Sequence, residues 1–245
     1  VEAQAMFPVT SRVEMRGEPT DPNPISQVPD GQVQKIWSRL MDRILSYKGY
    51  RKLFKKAYPN KKLGDMTFAD AANAIGQWER EAYTFLDAPF DRYLNGDDSA
   101  LTTKQKKGAE IFYGKGGCAS CHSGTLTTDQ EFHNIAAPQI GPGKGSIKPL
   151  DPGRMIVTGR PTHKFEFRTP PLRNVELTAP YMHSGAYPTL EEAIEHHLQP
   201  EQALDNYDGS HLRADFRQEV HDSQAVKQKL LRTLDWRLRV RGFIQ

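Results

Sequence analysis

Two cysteines three positions apart, with a histidine directly after the second, are the residues of this chain best placed to do chemistry. Cys118-Ala119-Ser120-Cys121-His122 is a C-x-x-C-H pattern, which attaches haem c. The spacing has a physical reason. Two thioethers must reach two vinyl positions on one porphyrin edge, and the adjacent histidine then falls over the metal as proximal ligand. A structural zinc would need further Cys or His at ligand spacing, and the sequence holds no third cysteine. A thioredoxin-like pair expects a βαβ setting, whereas here a helix and the glycine turn Gly114–Gly117 precede the motif. Haem c is the reading that remains.

An iron held on one side by His122 needs a partner on the other. The segment Leu190–Leu198 reads as a helix with Leu190, Ala193, Ile194, His197 and Leu198 on one face. Glu192, His196 and Gln199 fall on the other face, which reads as solvated. A histidine within an apolar stripe is more often a core residue than a ligand, but an iron atom nearby shifts that balance toward His197. Met182 and Met155 compete for the position. Methionine would raise the reduction potential, and a second histidine would lower it. With both axial positions filled by His122 and His197, the haem would relay electrons and not bind peroxide.

Helices must position these groups. Val33, Ile36, Trp37, Leu40, Met41, Ile44 and Leu45 recur at helical spacing over Gln32–Tyr47, and a short helix covers Tyr50–Ala57 before Pro59. Thr67 with Asp70 caps a third helix that runs to about Ala82. Pro89–Asp98 reads as a loop at a domain boundary. Thr102 with Gln105 caps the helix leading to the motif, and Thr189 with Glu192 caps the one carrying His197, which Pro200 stops. Residues 1–30 are rich in turn signals, and residues 124–180 look irregular. A last helix spans about 223–235, and Trp236–Phe243 alternates apolar and basic residues, as an extended docking arm or a solvated tail would.

The chain has 245 residues and a formal charge of +3, from 33 Lys and Arg against 30 Asp and Glu, too weak to argue for nucleic acid. No stretch is apolar enough to span a bilayer. The fold class is mainly α: a cytochrome c-like haem domain preceded by a remnant of a second helical cytochrome c-like domain, divided as 1–95 and 96–245.

The ordered motifs Gly114-Lys-Gly-Gly-Cys-Ala-Ser-Cys-His122, Phe132-His-Asn-Ile135, Arg168-Thr-Pro-Pro-Leu-Arg-Asn174, Thr178-Ala-Pro-Tyr-Met-His-Ser-Gly185 and Thr189-Leu-Glu-Glu192 together resemble the bacterial dihaem cytochrome c peroxidase family, especially its MauG-like branch. In that family the distal ligand of the C-terminal haem lies fourteen residues after the histidine of the Pro-Tyr-x-His motif. Counting from His183 reaches His197. Peroxidases of the family usually carry Met there and the MauG type carries Tyr, so histidine is a departure.

The resemblance implies a calcium bound through backbone oxygens at Thr178 and Pro180, against the alternative of a tight turn. It also matches Glu2–Met15 to the distal pocket of the family's first, peroxide-binding haem, with Gln4, Pro8 and Glu14 on matching positions. Glu14 would there act as general acid–base on peroxide. Its bland alternative is a solvated loop carboxylate. The sequence holds no first C-x-x-C-H, which leaves half a pocket without its haem. Three explanations stand: a separate polypeptide, a segment cleaved or left out, or a lost haem.

The expectation is therefore an exported, periplasmic oxidoreductase fragment carrying one haem c. Its partners would be a polypeptide or N-terminal segment with a second haem c, and a small electron-transfer protein such as a cytochrome c or cupredoxin. A monohaem electron carrier and a structural subunit of a larger redox complex are the rivals.

Overall fold

The computed structural model describes residues 1–241; residues 242–245, the end of the expected arm, lie outside the described residues. The chain divides into two compact units, Val1–Asp91 and Arg92–Gln245. Eleven α-helices occur among the described residues: α1 Val33–Ser46, α2 Lys48–Ala57, α3 Phe68–Tyr83, α4 Pro89–Leu94, α5 Thr103–Tyr113, α6 Met155–Thr158, α7 Leu190–Leu198, α8 Pro200–Asp205, α9 Ala214–Arg217, α10 Gln224–Arg232 and α11 Trp236–Arg241. Among the described residues the sheet structure is a single two-stranded ribbon, β1 Phe132–His133 against β2 Phe167–Arg168, antiparallel. The protein is mainly helical.

In the first unit the apolar faces of α1 to α3 meet over Met41, Phe54, Met66, Phe68 and Ala71, with Val9 of the N-terminal segment completing the core. Thr67 and Asp70 exchange the two reciprocal bonds of a capping box at the start of α3. Burial would raise the Asp70 carboxyl, yet bonds from Lys61 and the Thr67 amide hold it below its ordinary value.

Residues 1–16 are built from tight turns, Gln4–Met6 and Pro8–Thr10 as 3₁₀ and Arg12–Arg16 as a π-helical turn. They are docked, not loose. The Trp37 indole donates to the Met6 carbonyl at 3.0 Å, and Arg80 of α3 pairs with Glu2. Gly76 allows the close approach, since a Cβ there would meet the Glu2 backbone at 2.9 Å.

The second unit packs Ala136, Leu150, Phe165, Leu204 and Leu230 into its main core. Leu230 is 1% exposed, so Leu230→Ala should cost about 2–5 kcal/mol, read as a lower denaturant midpoint with an unchanged slope. The α5 and α7 starts carry the expected Thr102/Gln105 and Thr189/Glu192 capping boxes.

Two expectations need correction, and a third, that Pro200 stops the helix carrying His197, holds. The segment read as a Pro89–Asp98 loop contains α4, because Pro89 at a helix start has no amide to lose. Pro200 ends α7 but also opens α8 as its first residue, for the same reason. The tail from Trp236 is helical and not an extended arm. Its two-residue alternation also fits a short helix when one side, here Leu238 at 7% exposed, finds cover.

Candidate functional site

The motif sits in the second unit on a single 3₁₀ turn, Cys118–Ser120, entered through Gly117 at φ +61°, a left-handed conformation that a side chain would strain. That turn lets the chain leave α5 and double back so that His122 follows at once. Both cysteines are half-buried and carry no disulfide. Burial pushes the Cys121 thiol up from its ordinary value, with the Arg237 guanidinium pulling the other way.

The structure brings His122 and His197 together, their ring centres 6.5 Å apart with an interplanar angle of 66°. Each ring is oriented by a backbone carbonyl on Nδ1: Thr127 at 3.0 Å for His122, and Ala193, one turn back on α7, at 2.7 Å for His197. A carbonyl only accepts, so both Nδ1 atoms carry the proton and the lone pairs sit on Nε2, the arrangement seen in metal-ligating histidines. Two imidazoles binding one ion from opposite sides, with metal–nitrogen distances of about 2.0–2.1 Å each, have ring centres roughly 6–6.5 Å apart. The spacing therefore fits one metal ion between them.

Apolar side chains on the helices and the loop that carry the motif and His197 are left partly uncovered. Ile111 and Tyr113 on α5, Leu126 after the motif, and Ile194 and Leu198 flanking His197 on α7 are each between 41% and 49% exposed. The expected apolar face of α7 is thus only partly covered by protein: Ala193 is buried, while Ile194 and Leu198 face outward. Met182, the rival ligand, packs with Ala186, Tyr187 and Ala193. Met155 starts the short α6.

His196 reverses its expectation. It is fully buried, not solvated. The Tyr187 hydroxyl lies 2.9 Å from Nδ1, and Nε2 lies 2.7 Å from the Ile135 carbonyl. The Ile135 carbonyl can only accept, so Nε2 carries the proton and Nδ1 receives the tyrosine's. Burial pushes the His196 pKa down to about 4. Burial likewise raises the Tyr187 hydroxyl above its ordinary value. Helical periodicity put His196 on a polar face because it cannot know that Ile135 and Tyr187 cover that side.

A second group that sequence reasoning left without a role lies beside the motif. His133 stands between two carboxylates, with Asp129 on Nε2 at 2.8 Å and Asp235 on Nδ1 at 3.0 Å. Burial would raise both acids, but Arg237 holds the Asp235 carboxyl below its ordinary value, and the Glu131 amide and His133 do the same for Asp129. The Phe132-His-Asn-Ile135 motif was the signal available, but it names no partner.

Gln4 and Glu14 are exposed in the first unit, on its 3₁₀ and π-helical turns. Phe7, Val13 and Met15 of the same segment are 62%, 86% and 62% exposed. Thr178–Pro180 forms an exposed turn, with the Thr178 hydroxyl donating to the Val175 carbonyl at 3.0 Å. Calcium takes about six to eight oxygens, so the two carbonyls of this turn do not by themselves make a calcium site. Among the described residues no helix is long and apolar enough to cross a membrane.

Comparison with known proteins bears on the family. The family model for di-haem cytochrome c peroxidase (CCP_MauG) matches residues 1–99. Cytochrome c551 peroxidase of Pseudomonas aeruginosa is 35% identical over 193 residues, covering 78% of this chain and 49% of that protein. The methylamine utilization protein MauG of Methylorubrum extorquens is 30% identical over 198 residues, covering 81% and 48%. A crystal structure of a MauG-like protein associated with microbial copper homeostasis superposes with a TM-score of 0.59 at 29% identity, covering 80% of this chain and 55% of that one. The chain spans 34% to 50% of the length of the curated relatives it matches. A C-x-x-C-H turn, two facing imidazoles and these matches lead to one assignment: the chain belongs to the dihaem cytochrome c peroxidase/MauG-like family and is a haem-based redox protein.

Proposed function

We propose that this chain is the C-terminal, electron-transferring part of a dihaem peroxidase-type oxidoreductase that works in the periplasm or an equivalent exported compartment. Cys118 and Cys121 would hold one haem c by thioether bonds, and His122 and His197 would hold its iron. The observation that supports the reading is the pair of imidazoles with ring centres 6.5 Å apart, each oriented by a backbone carbonyl on Nδ1. When bound, the haem supplies a one-electron couple. The residues around it set that couple: a second histidine in place of methionine lowers the potential. His122 and His197 would both hold the iron, which would keep peroxide away from it.

Chemistry on peroxide then belongs to a second haem c, carried by a polypeptide or an N-terminal segment outside this sequence. The first unit would form one wall of that site. Gln4 and Glu14 lie on the segment that resembles the family's peroxide pocket, and the exposed Phe7, Val13 and Met15 would give it an apolar surface for a cofactor to cover. The Glu14 carboxylate would take a proton from one peroxide oxygen and return it to the other. A small electron-transfer protein, a cytochrome c or a cupredoxin, would exchange electrons with the haem of the second unit. The single C-x-x-C-H of the sequence favours one rival, a monohaem electron carrier.

Haem stoichiometry decides between them. Pyridine haemochrome spectra and intact mass of the purified native assembly should give one covalent haem on this chain and two per complete assembly. One haem per complete assembly would leave only the electron carrier.

A further inference from the structure

The charged groups beside the motif form a closed chain of contacts that begins and ends on the haem-binding turn. The Asp129 amide donates to the Cys121 carbonyl at 2.7 Å. The Asp129 carboxylate meets His133, His133 meets Asp235, and Asp235 takes a two-point contact from Arg237, with Nε at 3.0 Å and Nη2 at 2.9 Å. Arg237 Nη1 then donates to the Ser120 carbonyl at 3.0 Å. The two successive peptide carbonyls before His122 are therefore both gripped. These side chains are 13% to 21% exposed, so water competes weakly for their bonds.

The same C-terminal segment reaches the other axial ligand. Helix α11, which carries Arg237, packs against α7, which carries His197, and Leu238 is buried in that unit. Asn134 fixes the end of α10 by donating to the Leu230 carbonyl at 2.8 Å, and the Asp235 amide donates back to the Asn134 carbonyl at 2.9 Å.

Cys121, Asp129 and His133 also approach one another closely enough to suggest a metal site, with ligand atoms within 4.8 Å. Both His133 nitrogens are engaged by carboxylates, however, and Cys121 belongs to the haem. The cluster is a tether.

We infer that residues 233–239 act as a clamp that holds the turn before His122 and the helix bearing His197 in one arrangement, with Arg237 as its positioning residue, and so keep the haem closed to external ligands. The inference rests on the His122/His197 reading above. It gives the C-terminal segment a task inside its own unit.

Carbon monoxide binding to the reduced, haem-loaded full chain tests it, because the gas must first displace His197. Arg237→Gln should bind carbon monoxide about ten-fold faster than the unchanged protein, the worth of a lost charge-assisted hydrogen bond. Arg237→Lys, which keeps the charge without the fork, should fall between. Haem content and helical circular dichroism report whether each variant folds. Should Arg237→Gln fail to fold, Leu238→Ala loosens α11 without touching a charge and should move the rate the same way. Unaltered rates in the folded variants would overturn the clamp while leaving the two-histidine reading intact. Immediate binding by the unchanged protein, or a high-spin ferric spectrum from it, would overturn that reading and the clamp with it.

Discussion

In a His197→Ala variant the ferric haem should change from a low-spin to a high-spin magnetic resonance signal, and cyanide should bind it faster than it binds the unchanged protein. His197 would reach the iron from a short helix whose own Ala193 carbonyl orients the ring, and the opposing His122 ring lies 6.5 Å away. Alanine removes the α7 ring that lies against His122, so water or an added ligand would take its place on the iron. The change should be complete and not partial, since a coordinate bond is either made or lost. The haem itself should stay attached, because Cys118 and Cys121 are untouched. A low-spin spectrum surviving in His197→Ala and lost in Met182→Ala would hand the position to the methionine.

The second large effect concerns pH. His196 is neutral in the folded protein, its pKa pushed down by burial from the ordinary 6.5 to about 4. Between those two values the unfolded chain takes up a proton that the folded protein refuses. The stability from keeping His196 neutral is therefore fully present above pH 6.5 and is lost progressively as the pH falls toward 4, after which the slope ends. Integrated over that window the loss is about 3 kcal/mol. Urea unfolding of the haem-loaded chain at a series of pH values should show this fall, and His196→Gln should flatten it. Equal slopes in both proteins would place the pH dependence elsewhere. The acids tied to His133 act lower down. Their depressed values mean that the support they give is lost only as the pH falls below about 3.8, the ordinary aspartate value.

Local chemistry made much of this legible in the sequence. Thr102, Gln105, Thr189 and Glu192 set two helix starts through bonds spanning three residues, and such short-range signals survive without tertiary knowledge. The face of α7 that places His197 toward the motif is likewise a matter of periodicity. His196 shows where that logic stops. A polar residue on the far side of a helix reads as solvated unless another segment covers it, and here the cover comes from Ile135, far back in the chain. The tether fails for the same reason, since Arg237 and Ser120 are separated by more than a hundred residues. Two-residue alternation around Trp236 misled because a helix of six residues is too short to display its own period. Gln4 and Glu14 were legible only through resemblance: both lie at the surface of the first unit, where nothing local distinguishes a waiting catalyst from a solvated side chain.

The capping boxes at α5 and α7 bear on the order in which the protein is made. Helices of eleven and nine residues are marginal on their own, and their ends fray first. Starts locked by reciprocal side-chain bonds need no cofactor to choose their register. The attachment machinery would then meet a polypeptide whose two histidines are already spaced for iron, and porphyrin insertion becomes a matter of filling a frame and not of building one. A variant without the Thr189 cap would reveal this as slower maturation before it showed any fault in the finished protein.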